Sequence, residues 1–562
     1  MIATQDHPLT KAFAQTLSAG LRRKSINTCS RWSQHYRIMG MPIPGKWDFD
    51  HHPWLRGMHD CDDYMMVGMK AAQMGYTETA LNKVFFNIDV RGKSCLYVLP
   101  ASTPDASDFS SSRFDPALEL SPHLQNMFSD VKNVGHKRAG AASLFIRGSR
   151  SRSQLKSLPV SQVVCDEVDE MAQDNIAMIP ERMSGQKDDQ TQIFFLSTPT
   201  IGGHGIAVYW DSSNQMHYMF QCPSCSRFTE LDLDECLVIT ADDHFDPAIK
   251  NSHLICKECK AVLPHETKKE WLADKVLGGT ARWEATYANR LSTGFHVNQL
   301  YSTMMHPYKI AQMVLQAKSD PNVEQELYNS KMGLPHEVEG ARIKQEDLDA
   351  VTGSYSRSIK SPNTGRFVTM GVDVGKWLHL EICEWVFDRS LPTADISLIG
   401  RPRVLRMDKV KDFEELDQYM LAFKVGFCVV DHNPETRKAK EFARRFYGRV
   451  RLCLYTKGTT GKEIVDKGNE EMIVNVNRTS WLDLSLGRFH NGKISIPADT
   501  PKEYKDHLKA LVRIYGEDAD GNPIGKYVNT SDDHYGHARN YAEIALPLGF
   551  NLMKSKDVTG VV

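Results

Sequence analysis

The sequence lacks the features of a membrane or secreted protein. It has no stretch of roughly 18 apolar residues, so we predict no membrane-spanning segment. Its first residues, MIATQDHPLTKAF, have no apolar signal core, and we expect no secretion. With 41% hydrophobic and 25% charged residues, the 562-residue chain has the composition of a globular protein. Its length suggests about two to four domains.

The chain also lacks a large net charge, since its formal net charge is -2. The chain has 68 basic and 70 acidic residues, so total charge does not indicate nucleic-acid binding. Two local clusters of basic residues are more informative. Each is interpreted either as a surface that follows a phosphate backbone or as a solvated helix face. The first, within residues 131–161, contains no acid and consists of Lys132, Lys137, Arg138, Arg147, Arg150, Arg152 and Lys156. The second consists of Arg437, Lys438, Lys440, Arg444, Arg445, Arg449 and Arg451.

The twelve cysteines do not form the pattern of a disulfide framework, because most are scattered and several lie in apolar runs. The exceptions are two CxxC pairs, Cys222 with Cys225 and Cys256 with Cys259. Two such pairs can direct four thiolates at one tetrahedral ion, so we predict a structural Zn²⁺ site. Four thiolates leave no open position, and we therefore assign this ion no catalysis.

Short apolar runs that end in polar residues predict buried parallel strands with chemistry at their carboxyl ends. SCLYVLP (94–100), QVVCDE (162–167) and QIFFLSTP (192–199) form one such set. RFVTMGVDVG (366–375) and FCVVDH (427–432) begin a second. The chain has no internal repeat or long low-complexity tract. We therefore predict two α/β domains, the first with a small metal-binding insertion.

The full GxxxxGK[ST] phosphate loop is absent, but VGMKAAQMGYTET (67–79) offers its parts in another order. Lys70 supplies a charge at the front of the loop. The turn at Gly75 and Tyr76 would present backbone N–H groups to a phosphate. Thr77 supplies a hydroxyl for Mg²⁺. On its own this pattern is equally typical of an ordinary turn.

Two later strands strengthen the prediction of a nucleotide site. Asp166 ends an apolar strand and would hold Mg²⁺, while Glu167 would orient the attacking water. An acidic cap at the start of a helix is the alternative. Ser197 and Thr198 end a third strand, where a polar group would sense the γ-phosphate. The order and spacing of the three elements are those of a motor ATPase.

Acidic residues at two strands and one helix predict a nuclease. Asp373 and Asp431 lie on strands, and Asp532 and Asp533 open a late helix. RNase H-like nucleases gather acids from such positions around two Mg²⁺ or Mn²⁺ ions. We choose Asp533 as the third ligand, with Asp532 in reserve. His537, on the same helical face, would contact metal or phosphate.

These motifs together resemble phage terminase large subunits of the GpA-like family. The resemblance rests on MKAAQMGYTE, IRGSRSRSQLKSLPVSQVVCDEVDEM and FLSTPT. It extends to CSRWSQHYRIM with PGKWDF, to GFHVNQLYS and to ELYNSKMGLPHE. That family uses a phosphate loop with its Lys at the front, as here. Glu78 departs from relatives that carry a second basic residue there, so the loop's positive charge would rest on Lys70.

The resemblance implies an α/β fold with a RecA-like P-loop ATPase domain and an RNase H-like nuclease domain. We expect a helical arm at 1–45, the ATPase domain at 46–345 and the nuclease domain at 346–562. A zinc ribbon would be inserted at about 216–265. Such a protein hydrolyses ATP to move viral double-stranded DNA into procapsids and cuts concatemeric DNA.

The same resemblance implies cofactors and partners. The cofactors would be ATP, Mg²⁺ or Mn²⁺ at both catalytic sites, and structural Zn²⁺. We expect a small terminase subunit, a portal protein and a homo-oligomeric ring, all in the host cytoplasm. Two alternatives remain at this point: a helicase-nuclease of repair or restriction, and a non-catalytic zinc-ribbon subunit that binds DNA.

Overall fold

A computed structural model describes residues 26–128, 131–153, 155, 158–183, 191–362, 364–388, 395–456, 458–517 and 523–559. Residues 1–25 of the expected helical arm lie outside this part, as do Lys156 and the side chain of Lys132. The chain divides into two compact units, Met1–His336 and Glu337–Val562. None of the described helices is both long and apolar enough to cross a membrane.

The first unit is built from sixteen strands and twelve α-helices among its described residues. The strands are β1 (Ile38–Met39), β2 (Gly45–Lys46), β3 (Met65–Lys70), β4 (Cys95–Leu99), β5 (Val131–Asn133), β6 (His136–Ala139), β7 (Ala142–Gly148), β8 (Gln162–Asp166), β9 (Gln192–Ser197), β10 (Met216–Gln221), β11 (Phe228–Thr229), β12 (Leu237–Val238), β13 (His253–Ile255), β14 (Val262–Leu263), β15 (Arg282–Ala285) and β16 (Thr293–Val297). The helices are α1 (Cys29–Tyr36), α2 (Leu55–Asp60), α3 (Tyr76–Arg91), α4 (Ser107–Phe109), α5 (Asp115–Leu120), α6 (Pro122–Met127), α7 (Gln173–Ile176), α8 (Ile206–Ser212), α9 (Leu233–Cys236), α10 (Lys268–Trp271), α11 (Pro307–Ala317) and α12 (Pro321–Glu326).

One large sheet organises this unit, in the strand order β11-β10-β16-β3-β9-β8-β4-β7-β6-β5, with β15 paired to β10. From β10 to β7 all neighbours are parallel, and antiparallel strands close both edges. Every residue of β4, β8 and β9 is buried. The prediction of buried parallel strands is therefore confirmed. Since β9 lies between β3 and β8, the carboxyl ends of all three meet at one edge.

The described part of the expected N-terminal arm packs into the core of this unit. It contains α1 and the two-residue strands β1 and β2, so it is only partly helical. Trp32 of α1 is fully buried, and its ring lies 6.4 Å from that of Phe85 on α3. Nε1 of Trp32 donates to Asp89 at 2.8 Å. A large aromatic side chain buried in this way anchors α1 to α3.

The cysteine-containing segment is a small antiparallel sheet, β12-β13-β14, beside the large one. The expected insertion, residues 216–265, begins with β10, which belongs to the large sheet because its register pairs Met216 with Phe295. Strand β11, residues Phe228–Thr229, also belongs to the large sheet, because it pairs with β10. The segment that leaves the large sheet therefore starts after Thr229.

The second unit has a mixed seven-stranded sheet and a separate strand pair. The strands of this unit are β17 (Phe367–Val374), β18 (Leu378–Phe387), β19 (Gly400–Val410), β20 (Phe427–Asp431), β21 (Val450–Tyr455), β22 (Ile464–Asp466), β23 (Ile473–Val476), β24 (Leu511–Glu517) and β25 (Pro523–Asn529). Its helices are α13 (Gln345–Ala350), α14 (Ile396–Ile399), α15 (Phe413–Ala422), α16 (Thr436–Arg445), α17 (Gly468–Glu471), α18 (Arg478–His490), α19 (Lys502–Ala510) and α20 (His534–Thr559). The sheet order is β19-β18-β17-β20-β21-β23-β22, and β24 and β25 form a separate pair.

Helix α20 lies directly against β17, an interior strand of this sheet. Thr369 of β17 donates its hydroxyl hydrogen to the carbonyl oxygen of Ala542 at 2.9 Å. A Cβ atom on Gly371 would lie 2.0 Å from the carbonyl oxygen of Ala538 and 2.2 Å from the backbone nitrogen of Ala542. Only glycine at position 371 therefore allows this close approach of helix and strand.

Replacing Gly371 with alanine should destabilise the second unit, because the added methyl group must push α20 away from β17. We expect the free energy of unfolding to fall by about 1–3 kcal/mol or more, as for other overpacked cores. Urea unfolding, with hydrogen exchange of the β17 peptides as the probe, measures it. Gly487→Ala on α18 is the matched control, since outside its chain neighbours and the backbone of its own helix turns the nearest atom, Nδ2 of Asn491, lies 3.9 Å from an added Cβ. An unchanged urea midpoint for Gly371→Ala would contradict this packing argument.

Candidate functional site

The loop between β3 and α3 is shaped to face an anion. Gly75 immediately precedes α3 and has φ of 84°, a left-handed conformation that favours glycine. A Cβ at this position would also lie 2.5 Å from a methyl carbon of Leu55. The first N–H groups of α3, at Tyr76 and Thr77, have no partner within the helix and carry its positive dipole end. The loop can therefore receive a phosphate.

Lys70, at the end of β3, lies between two carboxylates from the end of β8. Its Nζ atom lies 3.3 Å from Oδ1 of Asp166, 2.9 Å from Oε1 of Glu167 and 3.4 Å from Oγ1 of Thr77. Burial lowers the pKa of Lys70, but the charges of Asp166 and Glu167 outweigh it and raise the pKa above its usual value. The ammonium group thus stays charged in a buried position.

The carboxylates themselves are held by the chain. Tyr97 of β4 donates its hydroxyl hydrogen to Oδ2 of Asp166 at 2.7 Å. Glu167 has φ of 66°, which is uncommon for a residue with a side chain. Its backbone N–H donates to the carbonyl oxygen of Leu196 on β9 at 2.9 Å. This backbone geometry places the Glu167 side chain beside Lys70, and such strain is often found at functional positions.

Asp169, which no sequence pattern singled out, is a buried carboxylate that joins the end of β8 to the loop after β9. It accepts hydrogen bonds from the backbone N–H and hydroxyl of Thr200, both at 2.9 Å, and from the N–H of Ile206 at 2.9 Å. Its own N–H donates to Oγ of Ser197 at 3.2 Å. The signal available was a third acid within DEVDEM, which a surface turn would equally explain.

A cavity of about 950 Å³ in the first unit opens over these groups. Its lining includes Lys70, Gly75, Tyr76, Thr77, Glu167 and Thr198. Ser197 does not line it, because that side chain is buried and its hydroxyl donates to the carbonyl oxygen of Thr198. Glu78 also lines the cavity and pairs with Arg37 at 2.8 Å. The negative charge noted at position 78 is therefore compensated by a buried guanidinium group.

Each of the two basic clusters is partly internal. Lys137 is buried and pairs with Asp115 at 2.8 Å, and Arg451 is buried and pairs with Asp466 at 2.8 Å. Arg437, whose side chain is 93% exposed, and Arg444 remain on the surface of α16. Only the exposed members can contact a phosphate backbone.

The four cysteines of the two CxxC pairs come together. Their sulfur atoms all lie within 4.8 Å of one another, and those of Cys222 and Cys259 are 3.8 Å apart. Backbone N–H groups of Ser224 and Glu258 donate to the sulfurs of Cys222 and Cys256, both at 3.4 Å. Such N–H donors stabilise thiolates, so the cluster can hold one tetrahedral ion.

In the second unit, the predicted acids gather at one edge of the sheet. The β17–β20 register pairs Val372 with Val430, so Asp373 and Asp431 follow at neighbouring positions of two parallel strands. Burial, together with the charge of Asp373, raises the pKa of Asp431 to about 6. The charge of His537 opposes this rise. The negative charge of ionised Asp431 is thus not fully offset by positive charge and hydrogen bonds from the surrounding residues.

The start of α20 contributes the remaining groups. Oδ2 of Asp533 lies 3.3 Å from Nε2 of His537, whereas Asp532 is exposed. Nδ1 of His534 donates to Oδ2 of Asp373 at 2.8 Å, and this hydrogen bond raises the pKa of His534. Sequence reasoning missed His534 and also His379, which stacks on it. His379 in WLHLE and His534 in DDHYGH gave no signal by themselves, because lone histidines are common in cores.

Two family models match the chain in the order of these two sites. Residues 42–283 match the model described as phage terminase large subunit gpA, ATPase domain. Residues 292–535 match the model described as terminase large subunit gpA, endonuclease domain. The chain belongs to the phage terminase large subunit family. It is therefore an enzyme with an ATPase domain and an endonuclease domain, and its function is DNA packaging.

The predicted site residues fall within the residue ranges of the two terminase family matches. The ATPase match contains Lys70, Asp166, Glu167 and the cysteine cluster, and the endonuclease match contains Asp373, Asp431 and Asp533. The endonuclease match begins at residue 292, before β16. Because β16 pairs with β3 along its whole length, the first residues of that match are structurally part of the first unit.

The chain is also similar, at low identity, to solved terminase structures. The HK97 bacteriophage large terminase is 11% identical over 92% of this chain and 99% of that chain, with a TM-score of 0.47. The large terminase of the thermophilic bacteriophage D6E, in complex with ADP, is 12% identical over 85% of this chain and 93% of that chain, with a TM-score of 0.29. The large terminase nuclease of thermophilic phage G20c, with bound magnesium, is 13% identical over 35% and 94%, with a TM-score of 0.23. No curated protein sequence matches the chain.

Replacing Asp431 with asparagine should stabilise the metal-free protein at high pH. The pKa of Asp431 is about 6 in the folded state, against about 3.9 for an unfolded Asp. Between these values the folded state binds more protons, so the free energy of unfolding falls as pH rises from 4 to 6. Asn removes this loss, and we expect a gain of about 1–2 kcal/mol at pH 8 for this partly exposed group.

The gain should shrink toward zero at about pH 4, because wild-type Asp431 is then protonated. Urea unfolding at both pH values, without added divalent metal, measures the difference. Asp349→Asn, at an exposed carboxylate on α13, is the control. A gain for Asp431→Asn that is equal at pH 4 and pH 8 would show that its charge is not the cause.

Proposed function

We propose that the first unit hydrolyses ATP at Lys70, Asp166 and Glu167 to move viral double-stranded DNA into a procapsid. We further propose that the second unit cuts concatemeric DNA at Asp373, Asp431 and Asp533. The main support for the ATPase is the position of Lys70, which contacts Asp166, Glu167 and Thr77 and lines a nucleotide-sized cavity. These groups lie where the carboxyl ends of three parallel strands meet.

In the ATPase, Lys70 would neutralise the phosphates that the N–H groups after Gly75 receive. Thr77 and Asp166 would hold Mg²⁺, the first by its hydroxyl group and the second through its carboxylate. Glu167 would orient the attacking water once Lys70 has turned to the phosphates. Thr198 lines the cavity and would contact the γ-phosphate. When the γ-phosphate leaves, the resulting shift of this strand end would reach Asp169 through Ser197, whose Oγ accepts a hydrogen bond from the Asp169 N–H.

In the nuclease, two bound Mg²⁺ or Mn²⁺ ions would supply an activated water and would stabilise the leaving oxygen of the DNA strand. Asp373 and Asp431 would hold them, because the two side chains occupy neighbouring strand positions and interact electrostatically. Asp533 is the third ligand in this proposal, since it is less exposed than Asp532 and faces His537.

The first unit would also hold a structural Zn²⁺ at Cys222, Cys225, Cys256 and Cys259. Support comes from the mutual approach of the four sulfurs and from the two backbone N–H donors that face them. Four thiolates complete a tetrahedral shell, so the ion would stabilise the β12–β14 segment and take no part in hydrolysis.

Membership of the terminase family supports a proposal about the partners. We propose that the chain acts on double-stranded viral DNA in the host cytoplasm, with a small terminase subunit, a portal protein and further copies in a ring. The exposed guanidinium groups of Arg437 and Arg444 on α16 support contact with a phosphate backbone. The domain limits of 46–345 and 346–562 remain predictions.

Lys70→Ala and Glu167→Gln should each lower DNA-stimulated ATP hydrolysis by about 100-fold or more, since each removes a group that acts in the transition state. The two should differ in ATP binding. Lys70→Ala loses phosphate contacts, whereas Glu167→Gln keeps Lys70 available and should bind ATP at least as tightly as wild type. Phosphate release and equilibrium ATP binding measure the two effects.

Lys318→Ala and Glu119→Gln, both at exposed positions of the same unit, are the matched controls. They should hydrolyse ATP at the wild-type rate. Wild-type hydrolysis by both Lys70→Ala and Glu167→Gln would reject the assigned ATPase site.

Asp373→Asn and Asp431→Asn should each abolish plasmid cutting in Mg²⁺ and in Mn²⁺ but leave ATP hydrolysis unchanged. The reason is that two neighbouring divalent ions repel each other strongly unless several carboxylates surround them. Asp533→Asn should behave in the same way, whereas Asp349→Asn should cut as wild type. Full cutting by Asp373→Asn would reject the nuclease site. Full cutting by Asp533→Asn with loss in Asp532→Asn would move the third ligand by one residue.

A further inference from the structure

Asp373 has histidines on the flank opposite Asp431. Strand β17 lies between β18 and β20, and the antiparallel β17–β18 register pairs Asp373 directly with His379. Directly paired residues project their side chains from the same face of a sheet. His534, at the first position of α20, reaches the same place and donates to Asp373 at 2.8 Å. One carboxylate therefore faces an oxygen-rich side and a nitrogen-rich side.

The three side chains are close enough to share one ion. One ligand atom from each of Asp373, His379 and His534 lies within 4.8 Å of the other two. The His379 and His534 rings stack at 4.6 Å between centroids with planes 10° apart. Tetrahedral ligands with bonds of about 2.0–2.1 Å are about 3.3 Å apart, so small side-chain rotations would close the site.

His379 carries a second, independent indication of a ligand. It is only 4% exposed, and its Nδ1 atom has no hydrogen-bond partner among the described residues. A buried polar nitrogen without a partner is destabilising, and such groups are few in folded proteins. A bound metal ion would give the histidine pair a function that its packing does not explain.

We propose that Asp373, His379 and His534 bind one first-row transition-metal ion through one oxygen and two nitrogen atoms. This inference rests on the proposed nuclease, in which Asp373 also serves the oxygen-only site with Asp431 and Asp533. Imidazole nitrogen suits borderline metals, whereas Mg²⁺ prefers oxygen ligands and a nearly ideal octahedron of them. The two metal positions of the nuclease are therefore unlike, and the nitrogen-containing one discriminates against Mg²⁺.

Pulsed electron paramagnetic resonance of Mn²⁺ tests this directly, because echo modulation by ¹⁴N reports a coordinated imidazole. The full-length protein is measured without DNA in excess Mg²⁺, so that Mg²⁺ fills the oxygen-only site and Mn²⁺ reports the other. Wild type should show ¹⁴N modulation. His379→Ala and His534→Ala should each weaken Mn²⁺ binding by about tenfold or more, since even residues behind metal ligands contribute 10–100-fold. The double variant should lose the modulation.

His490→Ala is the matched control, because His490 is exposed on α18 and pairs with Asp347 instead. It should retain wild-type modulation and affinity. If His379→Ala unfolds, His534→Ala decides the question alone, because its side chain is 35% exposed and tolerates truncation better. Absence of ¹⁴N modulation in wild type, or wild-type Mn²⁺ affinity in both folded histidine variants, overturns the inference.

Plasmid cutting tests the nuclease assignment independently of the resonance experiment. If Asp373→Asn still cuts plasmid, the nuclease assignment fails, whatever the resonance experiment shows. If Asp373→Asn is inactive and the ¹⁴N signal is absent, the nuclease site stands and only the nitrogen-liganded ion is rejected.

Discussion

The ion pair between buried Lys70 and the Asp166 and Glu167 carboxylates is the constraint on which the ATPase unit depends. A lone buried ammonium group would be strongly destabilising, and so would the buried Asp166 carboxylate without a partner. The pair is possible only because β9 separates β3 from β8 and brings three strand ends to one edge. The left-handed backbone at Glu167 and the hydrogen bond from Tyr97 to Asp166 are both arranged around it. The pair also defines the resting state, since a phosphate must take Lys70 from Glu167.

The nuclease unit poses the opposite electrostatic problem. Here Asp373 and Asp431 bring charges of the same sign together, and the raised pKa of Asp431 reports the imbalance. His534 and His537 compensate part of it, but divalent ions would compensate it better. In one unit the protein supplies the missing charge, and in the other it leaves that charge to a ligand. Because Gly371 has no side chain, α20 can approach β17 closely and bring its histidines to the strands.

Features that depend on a short stretch of chain could be predicted from the sequence, whereas features that depend on contacts between distant segments could not. Local patterns identify β4, β8 and β9, because a buried parallel strand is a short apolar run that ends at a polar residue. They also identify Asp373 and Asp431 as residues at strand positions. Contacts between distant segments leave no such pattern. Asp169 binds Thr200 and Ile206 across the loops, and His379 meets His534 only after β18 has paired with β17. For the same reason, the sequence could not show that β10 joins the large sheet or that Trp32 packs on α3.

The structure of the full chain with a non-hydrolysable ATP analogue and Mg²⁺ tests most directly whether Lys70 exchanges carboxylate for phosphate. The account predicts that Nζ of Lys70 lies within about 3.2 Å of a phosphate oxygen. Oε1 of Glu167, which is 2.9 Å from Nζ in the resting state, should then have turned toward the water position beyond the γ-phosphate. An analogue bound in the cavity with the Lys70–Glu167 pair intact would contradict the account.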